Sequence, residues 1–177
     1  MKALIFRHFP FIMNIMNKRN LVFVDVEAAG ATPIRGKMTE FGAVLMNGDS
    51  YHGQLYAGTP DPENPAKPIV GRRLNPVHDI AKEFDDWLKA NVKGRPIFVS
   101  DNPAYDWQWI AAMFDTVEME NPFGHSGRRI SDFYAGLNRK WSETQGWKRL
   151  RRTKHTHNPV DDARGNMEAL TTLLEQM

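Results

Sequence analysis

The run Leu-Val-Phe-Val-Asp-Val-Glu from Leu21 to Glu27 constrains this chain more than any other segment. Leu21 to Val26 is nearly continuous in apolar residues and rich in β-branched side chains, which reads as a strand buried on both faces. Asp25 and Glu27 interrupt it two positions apart, so both carboxylates leave the same face. Two like charges on one face of a buried strand repel and are costly to desolvate. Either this strand end is open to water, or a bound dication neutralises the pair. The flanking Leu21, Val22, Phe23 and Val24 argue against an ordinary exposed edge.

The remaining pattern predicts an α/β domain. Gly30, Pro33 and Gly36 break the first strand. Phe41 to Met46 reads as a second, closed by the Asn47-Gly48 turn signal. Ser50 to Ala57 reads as a third, so the last two form a hairpin. Gly58 to Pro76 holds five prolines and few apolar residues, and is expected as a loop. Ile80, Phe84, Trp87 and Leu88 recur at helical spacing, with Gly94 as the stop. Pro96 to Val99 is a short strand. Trp107, Ile110, Ala111 and Phe114 mark the next helix, which puts Trp107 in the core and leaves Trp109 either packed or stacked on a base. Arg128 to Ile130 is a brief strand, followed by a helix from Asp132 through Leu137. Ala163, Met167, Leu170, Leu174 and Met177 form the stripe of a final helix. An antiparallel hairpin followed by crossover strands implies a mixed sheet flanked by helices.

With 177 residues, 41% of them hydrophobic, the chain suits one domain with one core rather than disorder. Residues 19–177 are expected to hold it. Residues 1–18 are set apart: Met1 to Ile15 is apolar but broken by Arg7, His8, Pro10 and Asn14, with no small-residue cleavage site. A start codon placed too early, with Met13 or Met16 as the natural start, is the preferred reading; a flexible or partner-docking arm is the alternative. There is no cysteine, which excludes disulfides, thiolate zinc sites and cysteine nucleophiles and fits a cytoplasmic setting. No segment approaches the roughly 20 apolar residues that span a bilayer. The net charge is only +2, yet Trp147 to Lys154 carries five cations and no acid. That run reads either as a phosphate-contacting patch, which Arg128 and Arg129 would join, or as a solvated loop.

Three further groups complete a constellation. Asp106 opens the helix after Val-Ser-Asp-Asn-Pro-Ala-Tyr, with Asp101 and Asn102 as candidates for the cap and turn at that junction. His157 and Asp162 lie five positions apart in His-Asn-Pro-Val-Asp-Asp-Ala. On one helix they would be roughly 140° apart, and Pro159 makes continuous helix unlikely to include His157. His157 is therefore expected on a loop folded back over Asp162 in the first helical turn. Asp161 reads as helix N-terminal charge, and His125 and His155 as surface residues. Carboxylates gathered in this way can hold two divalent cations, and such pairs of cations cleave phosphodiesters. A histidine beside them can take a proton from water.

Val-Asp-Val-Glu, Thr-Glu-Phe-Gly-Ala-Val, Asn-Pro-Ala-Tyr-Asp and His-x-x-x-x-Asp-Ala, in that order, resemble the DEDDh exonucleases. That superfamily includes ribonuclease T, oligoribonuclease and polymerase proofreading subunits. The resemblance spans Leu21 to Met177. It implies a ribonuclease H-like fold, two Mg2+ or Mn2+ ions, and release of nucleoside 5′-monophosphates from a free 3′ end of single-stranded nucleic acid. It also implies that Asp25 bridges both ions, that Glu27 and Asp162 share the water-activating one, that Asp106 supports the other, and that His157 is the general base. Where many members place two threonines and a glycine after the first Glu, Ala28-Ala29-Gly30 stands here. Ala28 and Gly30 keep the backbone groups that hold the terminal nucleotide but offer no hydroxyl. The variant is similar to stand-alone bacterial and phage exonucleases, some of them exoribonucleases, and leans toward RNA. Arg149, Arg152 and Lys154, leading into His157, are expected to contact phosphates. Several relatives are homodimers, so a homodimer is open. Two alternatives stand beside this reading: a ribonuclease H-type endonuclease, and a non-catalytic nucleic-acid-binding module on a nuclease fold.

Overall fold

The computed structural model describes residues 20–63 and 68–177. The expectation for residues 1–18 lies outside them. The first strand, β1 (Leu21–Ala29), runs three residues beyond Val26 and carries both acids within it. It pairs antiparallel with β2 (Lys37–Leu45), which pairs antiparallel with β3 (Ser50–Gln54). On its other side β1 pairs parallel with β6 (Ile97–Ser100), and β6 parallel with β7 (Gly127–Arg129), giving the order β3-β2-β1-β6-β7. Helices α1 (Val77–Asn91), α2 (Pro103–Thr116), α3 (Ile130–Leu137) and α4 (Pro159–Glu175) cover the sheet, with a short 3-10 helix at Gly146–Leu150. This is the mixed, helix-flanked sheet that the sequence predicts.

The period-two alternation of β1 sorts its residues between two cores. Val22, Val24, Val26 and Ala28 pack with Phe41, Phe84, Ile110 and Phe114 on the side of α1 and α2. Leu21 and Phe23 pack with Val44, Trp147, Ala163 and Leu170 on the side of α3 and α4. Asp25 and Glu27 continue the second set, so the strand's own pleat aims both acids at α4.

Four expectations need correction. The proline-rich stretch from Gly58 to Pro76 is not all loop: β4 (Tyr56–Pro60) and β5 (Pro68–Arg73) form a separate two-stranded antiparallel sheet. Pro60 pairs with Pro68 at its end, where a missing N–H is tolerated. The third strand stops at Gln54, because Leu55 turns inward and its amide donates to Thr39 O at 2.8 Å. The buried face of α2 is not centred on Trp107; it comprises Asp106, Trp109, Ile110, Met113 and Phe114. Trp109 is only 3% exposed, with its ring edge-on to Tyr105, so it cannot stack on a base. Met177 lies past the end of α4 and is exposed.

Candidate active site

Asp25, Glu27 and Asp162 present carboxylate oxygens within 4.8 Å of one another. The approach of α4 that brings Asp162 there depends on β2. Gly42 stands opposite Asp25 in the ladder, and a Cβ at Gly42 would lie 2.3–2.4 Å from the backbone of Pro159 and Val160. Only a bare backbone lets the first turn of α4 press onto the sheet beside Asp25. Gly42→Ala is therefore expected to cost about 1–3 kcal/mol through overpacking and to lower activity with it. Thermal melts and cleavage assays on the same preparation check this; wild-type values in both would show that α4 does not need this contact.

The loop before α4 is fixed by Asp162 itself. Its Oδ1 accepts from the Thr156 amide at 3.0 Å and its Oδ2 from the His157 amide at 3.2 Å. Asn158 caps the helix by accepting from the amides of Val160 and Asp161, and Pro159 occupies the first helical position. Asp161 takes the Thr156 hydroxyl at 3.1 Å in the first turn, as its expected structural role requires. His157 adopts φ +60°, a left-handed conformation that costs a non-glycine residue energy. The turn directs its ring toward β1, with Nδ1 3.8 Å from Glu27 Oε1 and the side chain about half exposed.

His155, expected as a bystander, stands inside the site. Its Nδ1 lies 2.7 Å from Asp162 Oδ2, and its ring meets that of His157 edge-to-face at 4.5 Å. No periodicity in the loop sequence signals this, because it depends on the turn at His157.

Asp106 is buried on the inward face of α2, and its charge acts on Asp25 and Glu27. Burial, then the charges of Asp106, Asp162 and Glu27, pushes the Asp25 carboxyl well above the usual carboxylate range, against a lowering influence from Arg151. Burial, then Asp162, Glu40 and Asp106, lifts Glu27 to about 8. Burial raises Asp106 as well. Four carboxyls arranged so that they cannot all ionise alone are a donor set that dications complete. Oxygen-only carboxylate ligands suit Mg2+ and Mn2+, so Asp25, Glu27 and Asp162, with Asp106 beside them, fit such ions.

The end of β1 is braced rather than free. Ala28 is 3% exposed with its methyl group in the core, so only its backbone can meet a ligand. Tyr105 donates its hydroxyl toward the carbonyls of Ala28 and Gly30 at 3.4 and 3.3 Å. Gly30 has φ +116° and packs against Gly36.

The basic stretch divides in two. Lys148 pairs with Asp101 at 2.7 Å. Arg151 sits 3.7 Å from Asp101, donates to Asn166 at 2.6 Å, and lies over the buried Trp147 ring at 4.8 Å. Asp101 is thus an anchor for these cations rather than a helix cap; Asn102 holds the cap position without a side-chain bond. Arg149, Arg152 and Lys154 face solvent, with Arg152 3.9 Å from Glu168. Of the other two candidate cations, Arg128 is exposed, and Arg129 pairs with Asp132 and donates to the Asp101 carbonyl.

The fold is that of the DEDDh exonucleases, and sequence comparison supplies the family. Residues 20–174 match the family of the 3′-5′ exoribonuclease Rv2179c-like domain, and the chain belongs to that family. The 3′-5′ DNA exonuclease Cap18 of Escherichia coli is 27% identical over 169 residues, covering 86% of this chain and 90% of that protein. Among solved structures, the nuclease domain of 3′hExo, a DEDDh family member bound to rAMP, superposes with a TM-score of 0.66 at 12% identity, covering 90% of this chain and 94% of that one. Exonuclease I gives 0.58 at 12% identity over 88% of this chain, which spans 42% of that longer protein. The protein is a 3′-5′ exonuclease, and its family works with divalent metals on nucleic acid. Among the described residues no helix is long and apolar enough to cross a membrane.

Proposed function

We propose that this exonuclease degrades single-stranded nucleic acid from a free 3′ end, RNA in preference to DNA, releasing nucleoside 5′-monophosphates with two Mg2+ or Mn2+ ions and His157 as general base. The observation that carries the reading is the convergence of Asp25, Glu27 and Asp162 within 4.8 Å, beside a half-exposed His157 at 3.8 Å from Glu27. Asp25, Glu27, Asp106 and Asp162 hold the ions. Once bound, these supply activation of the attacking water and neutralisation of charge on the scissile phosphate.

The protein groups do the rest. The His157 imidazole is reachable from solvent and accepts the proton of the attacking water. The strained backbone at His157, tied to Asp162 through its amide, holds the ring on the β1 side of the site. The Ala28 and Gly30 backbone receives the terminal nucleotide, and the Tyr105 hydroxyl fixes that segment. Arg149, Arg152 and Lys154 attract the following phosphates, so affinity falls with added salt. The exoribonuclease description of the family favours RNA, whereas the Escherichia coli relative is named for DNA. A cytoplasmic setting and a homodimer belong to the same reading; sedimentation of the purified chain tests the second.

The deciding experiment follows matched 5′-labelled RNA and DNA strands with Mg2+, Mn2+ or EDTA. A metal-dependent ladder shortening from the 3′ end, faster on RNA, is the expected result. A faster DNA ladder would reverse the sugar assignment. His157→Ala is expected to slow turnover by about a hundredfold, while calorimetry with Mn2+ shows metal binding retained. Full activity in that variant would remove His157 from the role of base.

A further inference from the structure

His155, His157 and Asp162 form a second candidate metal-ligand set, chemically different from the carboxylate centre. Their ligand atoms lie within 4.8 Å of one another. The His155 nitrogen and an Asp162 oxygen are already 2.7 Å apart, and the two imidazole rings meet at 4.5 Å. Both histidine side chains are about half exposed, at 52% and 46%, whereas Asp162 is 1% exposed. An ion can therefore reach the set from solvent, with the buried carboxylate at its floor.

We propose that His155, His157 and Asp162 bind a transition-metal dication of the Zn2+ type, and that its occupancy shuts off hydrolysis. Imidazole nitrogens suit zinc and its neighbours, whereas Mg2+ is held by oxygen donors. Two nitrogens and one oxygen with an open fourth position are a common zinc arrangement. Three backbone or side-chain links pre-organise the ligands: the Thr156 and His157 amides on Asp162, and the Asn158 cap behind them. The inhibitory clause rests on the function proposed above. Zinc at this position takes the His157 lone pair that would accept the proton, and it draws Asp162 away from Asp25 and Glu27. One loop then offers two outcomes: Mg2+ or Mn2+ at the carboxylates supports cleavage, while zinc across the histidines stops it.

The test separates the two clauses. Zn2+ is titrated calorimetrically into Asp25→Asn, which weakens the carboxylate centre and leaves the histidine set intact, and into the same variant carrying His155→Ala or His155→Asn. Saturating Mg2+ is present throughout. The expected result is one zinc per chain in Asp25→Asn and a loss of at least about tenfold in affinity when His155 is replaced. In parallel, the His155 and His157 imidazole nitrogen resonances of the wild-type protein shift together on adding zinc, a readout that needs no variant. In Mg2+-driven cleavage, the zinc concentration for half-inhibition rises by about tenfold or more in His155→Ala, each protein compared with its own zinc-free rate. Equal zinc affinity with and without His155, or zinc that leaves both imidazoles unmoved, overturns the site even if the enzyme cleaves normally. Zinc binding through His155 in a protein that cleaves neither strand supports the site and removes the function proposed for it.

Discussion

Asp25→Asn is expected to abolish cleavage while leaving a folded protein that is more stable than wild type in EDTA near pH 8. Asp25 is the acid on which the charges of Asp106, Asp162 and Glu27 all bear. An amide of the same shape removes a carboxylate that the proposed ions need, and with it several kcal/mol of transition-state charge stabilisation. A loss of about 5 kcal/mol corresponds to about 10⁴-fold in rate. The same substitution removes a carboxyl whose ionisation burial and its neighbours oppose, so the metal-free fold gains from it. Two measurements on one preparation check the claim: single-turnover cleavage with Mn2+, and a thermal melt in EDTA. Lost activity with a lowered melting temperature would mean that Asp25 is a structural residue. Retained activity would mean that the ions sit elsewhere.

Part of this site is written in local sequence, and part is not. Asp25 and Glu27 can be read because they violate the apolar pattern of the strand that carries them; the violation is itself the signal. Asp106 can be read as an acid at a helix start, but the helix face cannot. A functional carboxylate on the inward face makes the apolar seam look as though it were centred on Trp107, so the packed place of Trp109 stays one of two open readings. The hairpin of β4 and β5 is hidden for a related reason. Prolines mark turns in most windows, and here two of them end a short ladder in which they need no N–H. The roles of Gly42 and His155 escape, although the first stands in a quoted motif and the second is read as a surface residue. The first matters because a helix from the far end of the chain touches its backbone. The second matters because a left-handed residue two positions later turns the loop back on itself. Both are consequences of tertiary approach, and neither leaves a period or a composition that a window could detect. The basic run shows the same limit: five adjacent cations look alike in sequence, yet Lys148 and Arg151 are spent on Asp101 while Arg149, Arg152 and Lys154 remain outward.

The crowding of carboxyls also makes the metal-free protein sensitive to pH in a direction opposite to that of an ordinary salt-bridged fold. Glu27 is lifted from 4.5 to about 8, and Asp25 is raised in the same sense. Below pH 4.5 Glu27 is protonated in both folded and unfolded chains and the shift has no effect. Between 4.5 and about 8 the unfolded chain releases this proton and the folded chain retains it, so the fold becomes less stable as pH rises. For one such group the slope approaches about 1.4 kcal/mol per pH unit, which at this chain length amounts to about 3–6 °C in melting temperature per pH unit. In EDTA, the melting temperature at pH 7.5 is therefore expected to lie on the order of 5–10 °C below that at pH 5.5. Glu168 does not mask the trend. Despite burial, the amides of Thr153 and Arg152 hold its carboxyl below the ordinary value, so it is ionised across this window. Adding Mn2+ exchanges the retained protons for a dication, and the stabilisation grows with the ratio of metal to its dissociation constant. The rise must be larger at pH 7.5 than at pH 5.5, because competition from protons for the same carboxyls weakens as pH rises. Asp25→Asn should flatten both dependences. A melting temperature in EDTA that climbs from pH 5.5 to 7.5, unmoved by Mn2+, would mean that these carboxyls are ionised without help and that no dication completes them.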